Sequence, residues 1–211
     1  AYDIIEEQID VALALVKPEG FDYDSETDTY TAEISYPVTR EHLLLSWEKC
    51  QAGNSHDFGF HYAPYNFDSQ PESDFFTSLL HQLNLKPNDV EDFYFTGALT
   101  SSSKTDFAID YKDTDGKWRS YTPDFVLRRK DGRCLIIEVK SEQHEAATKE
   151  DLRRDAEGQP AITHEGIKAV AMRRWTGLNA ERLKYEFVYA GTALRHGATD
   201  TATTFVQPTA S

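Results

Sequence analysis

Two short pieces of the chain carry residue types that can do chemistry together: Tyr121-Thr122-Pro123-Asp124-Phe125-Val126 and Leu135-Ile136-Ile137-Glu138-Val139-Lys140, with thirteen residues between Asp124 and Glu138. In a strand, successive side chains face opposite ways. Leu135, Ile137 and Val139 therefore take one side, and Ile136, Glu138 and Lys140 the other. A tight turn at Asp131-Gly132 folds the preceding strand back and brings Asp124 near Glu138. Two carboxylates and one ammonium then converge at one end of a hairpin. Such a set suits metal-assisted hydrolysis of a phosphodiester. Oxygen ligands from Asp124, Glu138 and the Val139 carbonyl suit Mg²⁺, which accepts few protein ligands and keeps its waters for a substrate phosphate. The cation would polarise the phosphate and acidify a bound water, while Lys140 orients that water or offsets charge in the transition state.

The elements that must position these groups are readable from spacing. Asp68-Ser69-Gln70-Pro71-Glu72 is a helix start, with Ser69 as N-cap, Glu72 as its capping-box partner and Phe75, Phe76, Leu79, Leu80 and Leu83 as the buried stripe of a helix over 71–84. Strands are predicted at Asp92 to Phe95, Asp106 to Lys112, Trp118 to Arg128 and Arg133 to Lys140. Turns at Asp115-Gly116 and Asp131-Gly132 make them a β-meander. Upstream, apolar spacing predicts a helix over 3–16, a half-buried edge strand from Tyr30 to Val38, and a helix capped by Thr39 that carries Leu43, Leu44 and Trp47. Downstream come a helical segment near Lys149 to Arg154, a helix from Ile162 to Leu178, a strand from Tyr185 to Tyr189 and a polar tail. The expected division is an acidic α/β extension or linker over 1–65, a catalytic-type domain over 66–195 and a tail over 196–211.

Composition narrows the classes. The 211 residues carry a net charge of −14 and are 39% hydrophobic and 12% aromatic, which excludes a wholly disordered chain, a collagen, a coiled coil and a disulfide scaffold. The longest apolar stretch, around Val11 to Val16, is too short to span a bilayer, and no basic segment of a signal peptide opens the chain. A cytoplasmic protein without a membrane partner is expected. The amphipathic start at Ala1 is expected of a piece cut from a larger protein. Residues 1 to 72 hold 15 acids and 3 bases, whereas Lys117 to Lys140 holds seven bases and three acids. That basic strip makes Arg128 and Arg129, with Lys168 and Arg173 of the later helix, the candidate nucleic-acid contacts.

Pro123-Asp124 followed by Glu138-Val139-Lys140 resembles the pattern of the PD-(D/E)XK nuclease superfamily. More narrowly, Asp68-Ser69 with Glu72 and Phe75, then Tyr121 to Phe125, Ile136 to Lys140, and Lys168 with Ala171 and Trp175 resemble the C-terminal endonuclease domain of type III restriction enzyme Res subunits and related helicase-nuclease proteins. The resemblance covers about residues 65 to 190. It implies an α/β (α+β) fold, a mixed central β-sheet flanked by helices of the restriction-endonuclease type. It also implies dependence on Mg²⁺, with Mn²⁺ as a substitute, and products with a 5′-phosphate and a 3′-hydroxyl. An acid on the first core helix often joins the metal site in that superfamily, and Glu72 matches its position.

Each residue also has a plainer reading. Glu72 has its capping-box job, and one side chain cannot readily serve both. Lys168, Arg173 and Arg174 can be a solvated helix face, and Trp175 is taken as core. Cys50, His56 and His61 lack a fourth ligand at zinc spacing. At the level of function, the leading expectation is a DNA endonuclease domain, of the kind found in restriction or phage-defence systems, delivered to substrate by a helicase or translocase. No Walker motif occurs in these residues, so the motor would lie elsewhere. A homodimeric stand-alone nuclease is a close variant. The rival is a nuclease-like docking or regulatory module whose acidic N-terminal part binds protein or mimics DNA.

Overall fold

Side chains along the central strand Cys134–Lys140 alternate between two faces as the sequence predicts, and the two faces so defined support two separate layers. The computed structural model describes residues 22–31, 33, 38–50, 56, 58–98, 108–190 and 198–207. An exposed hairpin of β1 (Asp22–Asp24) and β2 (Thr29–Thr31) comes first. A 3₁₀ turn over Val38–Leu43 leads to β3 (Leu44–Leu45) and the single turn α1 (Trp47–Cys50). Then follow β4 (Tyr65–Asn66), α2 (Gln70–Leu85), β5 (Val90–Phe95), β6 (Ile109–Lys112), β7 (Trp118–Tyr121), β8 (Phe125–Arg129), β9 (Cys134–Lys140), α3 (Glu145–Ala156), α4 (His164–Gly177), β10 (Leu183–Tyr189) and α5 (Ala198–Phe205). No described helix is long and apolar enough to cross a membrane.

The central sheet has four strands in the order β10-β9-β8-β5. β9 pairs antiparallel with β8 and parallel with β10, so the sheet is mixed and helices flank it. A parallel neighbour needs a crossover, and α3 and α4 supply it. On one face, α2 sets Phe75, Phe76, Leu79 and Leu83 against Phe93, Phe125, Leu127, Leu135 and Ile137. On the other, Ile136 packs with Met172 of α4 and with Ile109, Tyr111 and Tyr121 of the β6–β7 ribbon. Residues of odd and even number in β9 thus serve different cores, as a period of two demands.

Helix α2 begins where its cap signal lies. Ser69 is extended at φ −145° and ψ 156°, and its Oγ accepts from Glu72 N at 3.4 Å. Ser69 Oγ donates in turn to Glu72 Oε1 at 2.6 Å, and Asp68 N donates to Glu72 Oε2 at 3.1 Å. One orphan donor of the helix start, Glu72 N, is satisfied by the cap, and the Glu72 carboxylate reaches back to the cap hydroxyl and to the N–H of the residue before it.

Several expectations are corrected. The meander does not form: the stretch from Trp118 to Arg128 breaks at Thr122-Pro123-Asp124, leaving β7 in a ribbon with β6 and β8 in the central sheet. Pro123 has no N–H to give a ladder. The end of β5 seals the break instead, with Thr96 N donating to Asp124 O at 2.9 Å and Thr96 Oγ1 donating to Pro123 O at 2.6 Å. The helix expected after Thr39 is interrupted because Leu44 and Leu45 pair with Asn66 and Tyr65, a tertiary pairing that overrides the helical period. The tail is not wholly polar surface, since Ala202 and Val206 are buried in the core beneath α2. Leu43 and Phe58 join that core too, so it draws on residues outside 66–195. Of the strand expected from Tyr30 to Val38, Tyr30 and Thr31 are in β2, Val38 opens the 3₁₀ turn, and 32 and 34–37 lie outside the described residues, as does the helix expected over 3–16.

Phe125 is fully buried, and its ring lies 5.3 to 5.4 Å from those of Phe75, Phe93 and Phe95. Phe125→Ala should lower unfolding free energy by about 3–5 kcal/mol, the range for truncating a buried aromatic. Denaturant unfolding followed by tryptophan fluorescence measures it, and a loss under about 1 kcal/mol would mean that this aromatic cluster does not hold the sheet to α2.

Candidate active site

The break before β8 and the end of β9 lie side by side at one end of the sheet. Register pairs Phe125 with Ile137, so Asp124 comes level with Glu138 and Val139. Val139 N donates to Asp124 Oδ2 at 2.7 Å, which fixes that carboxylate against the β9 backbone. Gly97, just after β5, lies beside it: a Cβ there would stand 3.7 Å from Asp124 Oδ1.

Glu138 is 2% exposed, a position that a carboxylate occupies only with partners. It has two. The Tyr121 hydroxyl donates to Oε2, and Lys140 Nζ lies 2.5 Å from Oε1. Tyr185 of β10 stands next to Tyr121, hydroxyl to hydroxyl at 3.4 Å. Lys140 also faces Glu165 of α4, with Nζ 3.2 Å from Oε2. Glu165 Oε1 is 3.3 Å from Lys168 Nζ, which sits over the Tyr121 ring at 5.5 Å.

Burial and the neighbouring Glu138 and Glu72 carboxylates push Asp124 well above the usual carboxylate range. Burial also raises Glu138, against the pull of Lys140, and burial raises Glu72 against its hydrogen bonds from Ser69 and Asp68. Glu165 goes the other way. Burial disfavours its charge, but Lys140 and Lys168 outweigh that and hold it down at about 2. Burial likewise disfavours the Lys140 ammonium, yet Glu138, Glu165 and Asp124 keep it above its ordinary value.

The structure therefore brings Asp124, Glu138, Val139 and Lys140 together. Glu72 is buried at the start of α2, close enough to raise Asp124, while both its oxygens remain in the capping box. Lys168 arrives beside the site. Arg173 is exposed further along α4 and on a different side of it, five residues being about 140° of helix rotation. Arg128 pairs with Glu91 at 3.1 Å, four residues along β8 from Asp124, or about 13 Å. Arg129 is corrected: it is 2% exposed, and its guanidinium donates to Phe205 O, Gln207 O at 2.8 Å and Asp89 at 3.0 Å. It ties α5 to the sheet and has no surface left for a nucleic acid. Glu165, Tyr121 and Tyr185 are site residues that sequence reasoning did not single out. Tyr121 stood inside the quoted motif and at the right parity. Glu165 follows Thr163, the N-cap of α4, but nothing in its local sequence says that this helix start faces Lys140.

Among the described residues no three His, Cys, Asp or Glu side chains form a ready-made metal cage. A hard cation that retains most of its waters needs less than that. A poorly solvated carboxylate raised further by two neighbouring carboxylates marks a donor set short of positive charge, and Asp124 with Glu138 fits a divalent ion on that ground.

Residues 89–189 match the family model described as TnsA-like endonuclease N terminal. No curated protein and no solved structure matches the chain. The matched span runs from before β5 to the end of β10, so it contains Asp124, Glu138, Lys140, Glu165 and Lys168 and leaves out Glu72. It carries the restriction-endonuclease-like, PD-(D/E)XK reading of the fold and an endonuclease reading of the site.

Asp124→Asn should raise the thermal midpoint of the metal-free protein at neutral pH, by roughly 2–4 °C for about 1 kcal/mol in a domain of this size. A carboxyl whose folded pKa is raised destabilises the fold above its unfolded value, near 3.9, so the gain must shrink as pH falls toward 4 and vanish below it. Scanning calorimetry with EDTA from pH 4 to pH 8 measures this, and a variant less stable than wild type at neutral pH would show that the carboxylate is compensated rather than strained.

Proposed function

We propose that the domain centred on residues 66–195 is an Mg²⁺-dependent endonuclease that hydrolyses DNA phosphodiester bonds, with Mn²⁺ as a substitute cation. The observation that supports it above all is the meeting of Asp124, Glu138 and Lys140 at one sheet end, a buried and a half-buried carboxylate with a single ammonium between Glu138 and α4. Asp124, Glu138 and the Val139 carbonyl would hold the cation, with Glu72 within electrostatic reach. When bound, the cation supplies Lewis acidity toward the phosphate and an acidified water.

The protein's own groups do the rest. The Val139 N–H holds Asp124 Oδ2, which fixes how the carboxylate faces the site. Tyr121 holds Glu138 Oε2 and sets the rotamer of a buried carboxylate. Lys140 carries the one charge in the hairpin that can meet a phosphate oxygen or the attacking water, and it is 21% exposed at the site mouth. The narrower likeness to type III Res domains rests on the motif residues alone. It favours a larger restriction or helicase-nuclease protein, in the cytoplasm, in which a helicase or translocase partner or a second copy of the chain presents DNA. The net charge of −14 supports dependence on such a partner, because an acidic chain gains little from displacing counterions on DNA.

A second reading, a catalytically silent docking or regulatory module, draws on the 15 acids against 3 bases of residues 1 to 72. The two readings part on metal. Supercoiled plasmid incubated at low salt with Mg²⁺ or Mn²⁺ should be nicked slowly by this chain alone, EDTA should stop it, and Asp124→Ala and Lys140→Ala should each lower the rate at least about 100-fold. Cleavage that survives EDTA or both substitutions would sink the nuclease reading, and absence of both cleavage and Mn²⁺ binding by wild type would move the function to docking.

A further inference from the structure

Around Glu138 and Lys140 the contacts close into a ring. Lys140 Nζ lies 2.5 Å from Glu138 Oε1 and 3.2 Å from Glu165 Oε2. Glu165 Oε1 pairs with Lys168 at 3.3 Å, Lys168 covers the Tyr121 ring, and the Tyr121 hydroxyl returns to Glu138 Oε2. One atom in the ring is left over. Glu165 Oε2 is buried, and the Lys140 ammonium, 3.2 Å away, meets it as an ion pair without good hydrogen-bond alignment. A buried carboxylate oxygen that is poorly bonded is costly, and the group best placed to serve it better is the Lys140 ammonium, which now lies closer to Glu138.

We propose that Glu165 is the positioning residue of Lys140: it takes over the ammonium when a divalent cation engages Glu138, and so keeps Lys140 at the site. This deepens the nuclease reading and rests on it. Glu138 cannot serve a cation and an ammonium at full strength together, because two positive charges a few ångströms apart repel inside a protein far more than in water. Lys140 must yield, and without an acceptor it would swing into solvent. Glu165 offers that acceptor at 3.2 Å, so a small rotation of a lysine terminus suffices. Lys168 shares the Glu165 charge and keeps it from capturing Lys140 outright.

The acceptor is held from behind. Asp151 of α3 is 2% exposed and takes Ile162 N at 2.9 Å, Thr163 N at 2.9 Å and Thr163 Oγ1 at 2.5 Å. Thr163 Oγ1 caps α4 by accepting from Gly166 N at 3.0 Å. Position 166 must be glycine for space, since a Cβ there would fall 2.1 Å from Asp151 Oδ2. The first turn of α4, with Glu165 on it, is therefore pinned to α3 as well as to the sheet.

A double-mutant cycle tests the takeover. Mn²⁺ alone is titrated by calorimetry into wild type, Glu165→Gln, Lys140→Met and the double variant, and plasmid cleavage is measured for wild type, Glu165→Gln and Glu165→Asp. The Gln substitution should weaken Mn²⁺ binding roughly fivefold more when Lys140 is present than when it is Met, because only then does an unclaimed ammonium compete for Glu138. In cleavage it should lower kcat more than KM, and Glu165→Asp, which restores an acceptor for Lys140, should recover part of the loss. Equal penalties in both backgrounds, or no recovery by Asp, would overturn the takeover and leave the nuclease reading standing. Wild type that neither binds Mn²⁺ nor cleaves would overturn both.

Discussion

The constraint on which the rest depends is negative charge brought out of water. Asp124 and Glu138 sit where a carboxylate is poorly solvated, and the Glu138 and Glu72 carboxylates make the Asp124 charge harder still to keep. Burial of that kind is tolerated only with hydrogen bonds or opposite charge on hand. The molecule supplies both from three directions: the Val139 N–H from β9, the Tyr121 hydroxyl from the ribbon, and Lys140 from the strand that carries Glu138. Each supplier has to come from a rigid element, and the sheet order and the break at Pro123 follow the same requirement.

Strand alternation lets one seven-residue strand do two jobs. Leu135, Ile137 and Val139 complete the core under α2, while Ile136, Glu138 and Lys140 face α4 and the ribbon. Removing water from one face with packed aromatics costs the site nothing on the other. A slip of one residue would bury Glu138 and Lys140 among phenylalanines, so the register is specified on both sides. The Asp131-Gly132 turn sets that register. Arg129 and Arg133 meet Asp131 there, and Arg129 carries the tie on to α5.

What could be read in advance was whatever local rules decide. The pairing of Asp124 with Glu138 needed only a period of two and a tight turn at Asp131-Gly132, and the start of α2 needed only Ser69, Pro71 and Glu72. The break in the long strand was written at Pro123, yet alternation on either side of it masked the change of sheet. Contacts set by the crossover were not readable. Glu165 and Tyr185 reach Glu138 and Lys140 because β10 lies parallel to β9, with Tyr185 level with Ile136, and because α4 docks over that face. No spacing in a single chain announces such a docking. Arg129 shows the converse: a basic strip in sequence became a buried clamp because Asp89 and the carbonyls of Phe205 and Gln207, at and just past the end of α5, close over it.

Charge also bears on how the site can meet a polyanion. Both ammoniums beside it, Lys140 and Lys168, already face carboxylates, and Arg128 at the far end of the hairpin faces Glu91. DNA approaching this face thus meets cations whose field is largely cancelled at close range. Attraction must come from charge that is added: a divalent ion at Asp124 and Glu138, or a basic surface on a partner. Those additions would also change the protein itself, since positive charge at Glu138 loosens its hold on Lys140. On the proposed nuclease reading, an arrangement that answers cation and substrate together would tie phosphodiester cleavage to assembly of the whole complex, and a net charge of −14 would suit a domain that depends on that assembly.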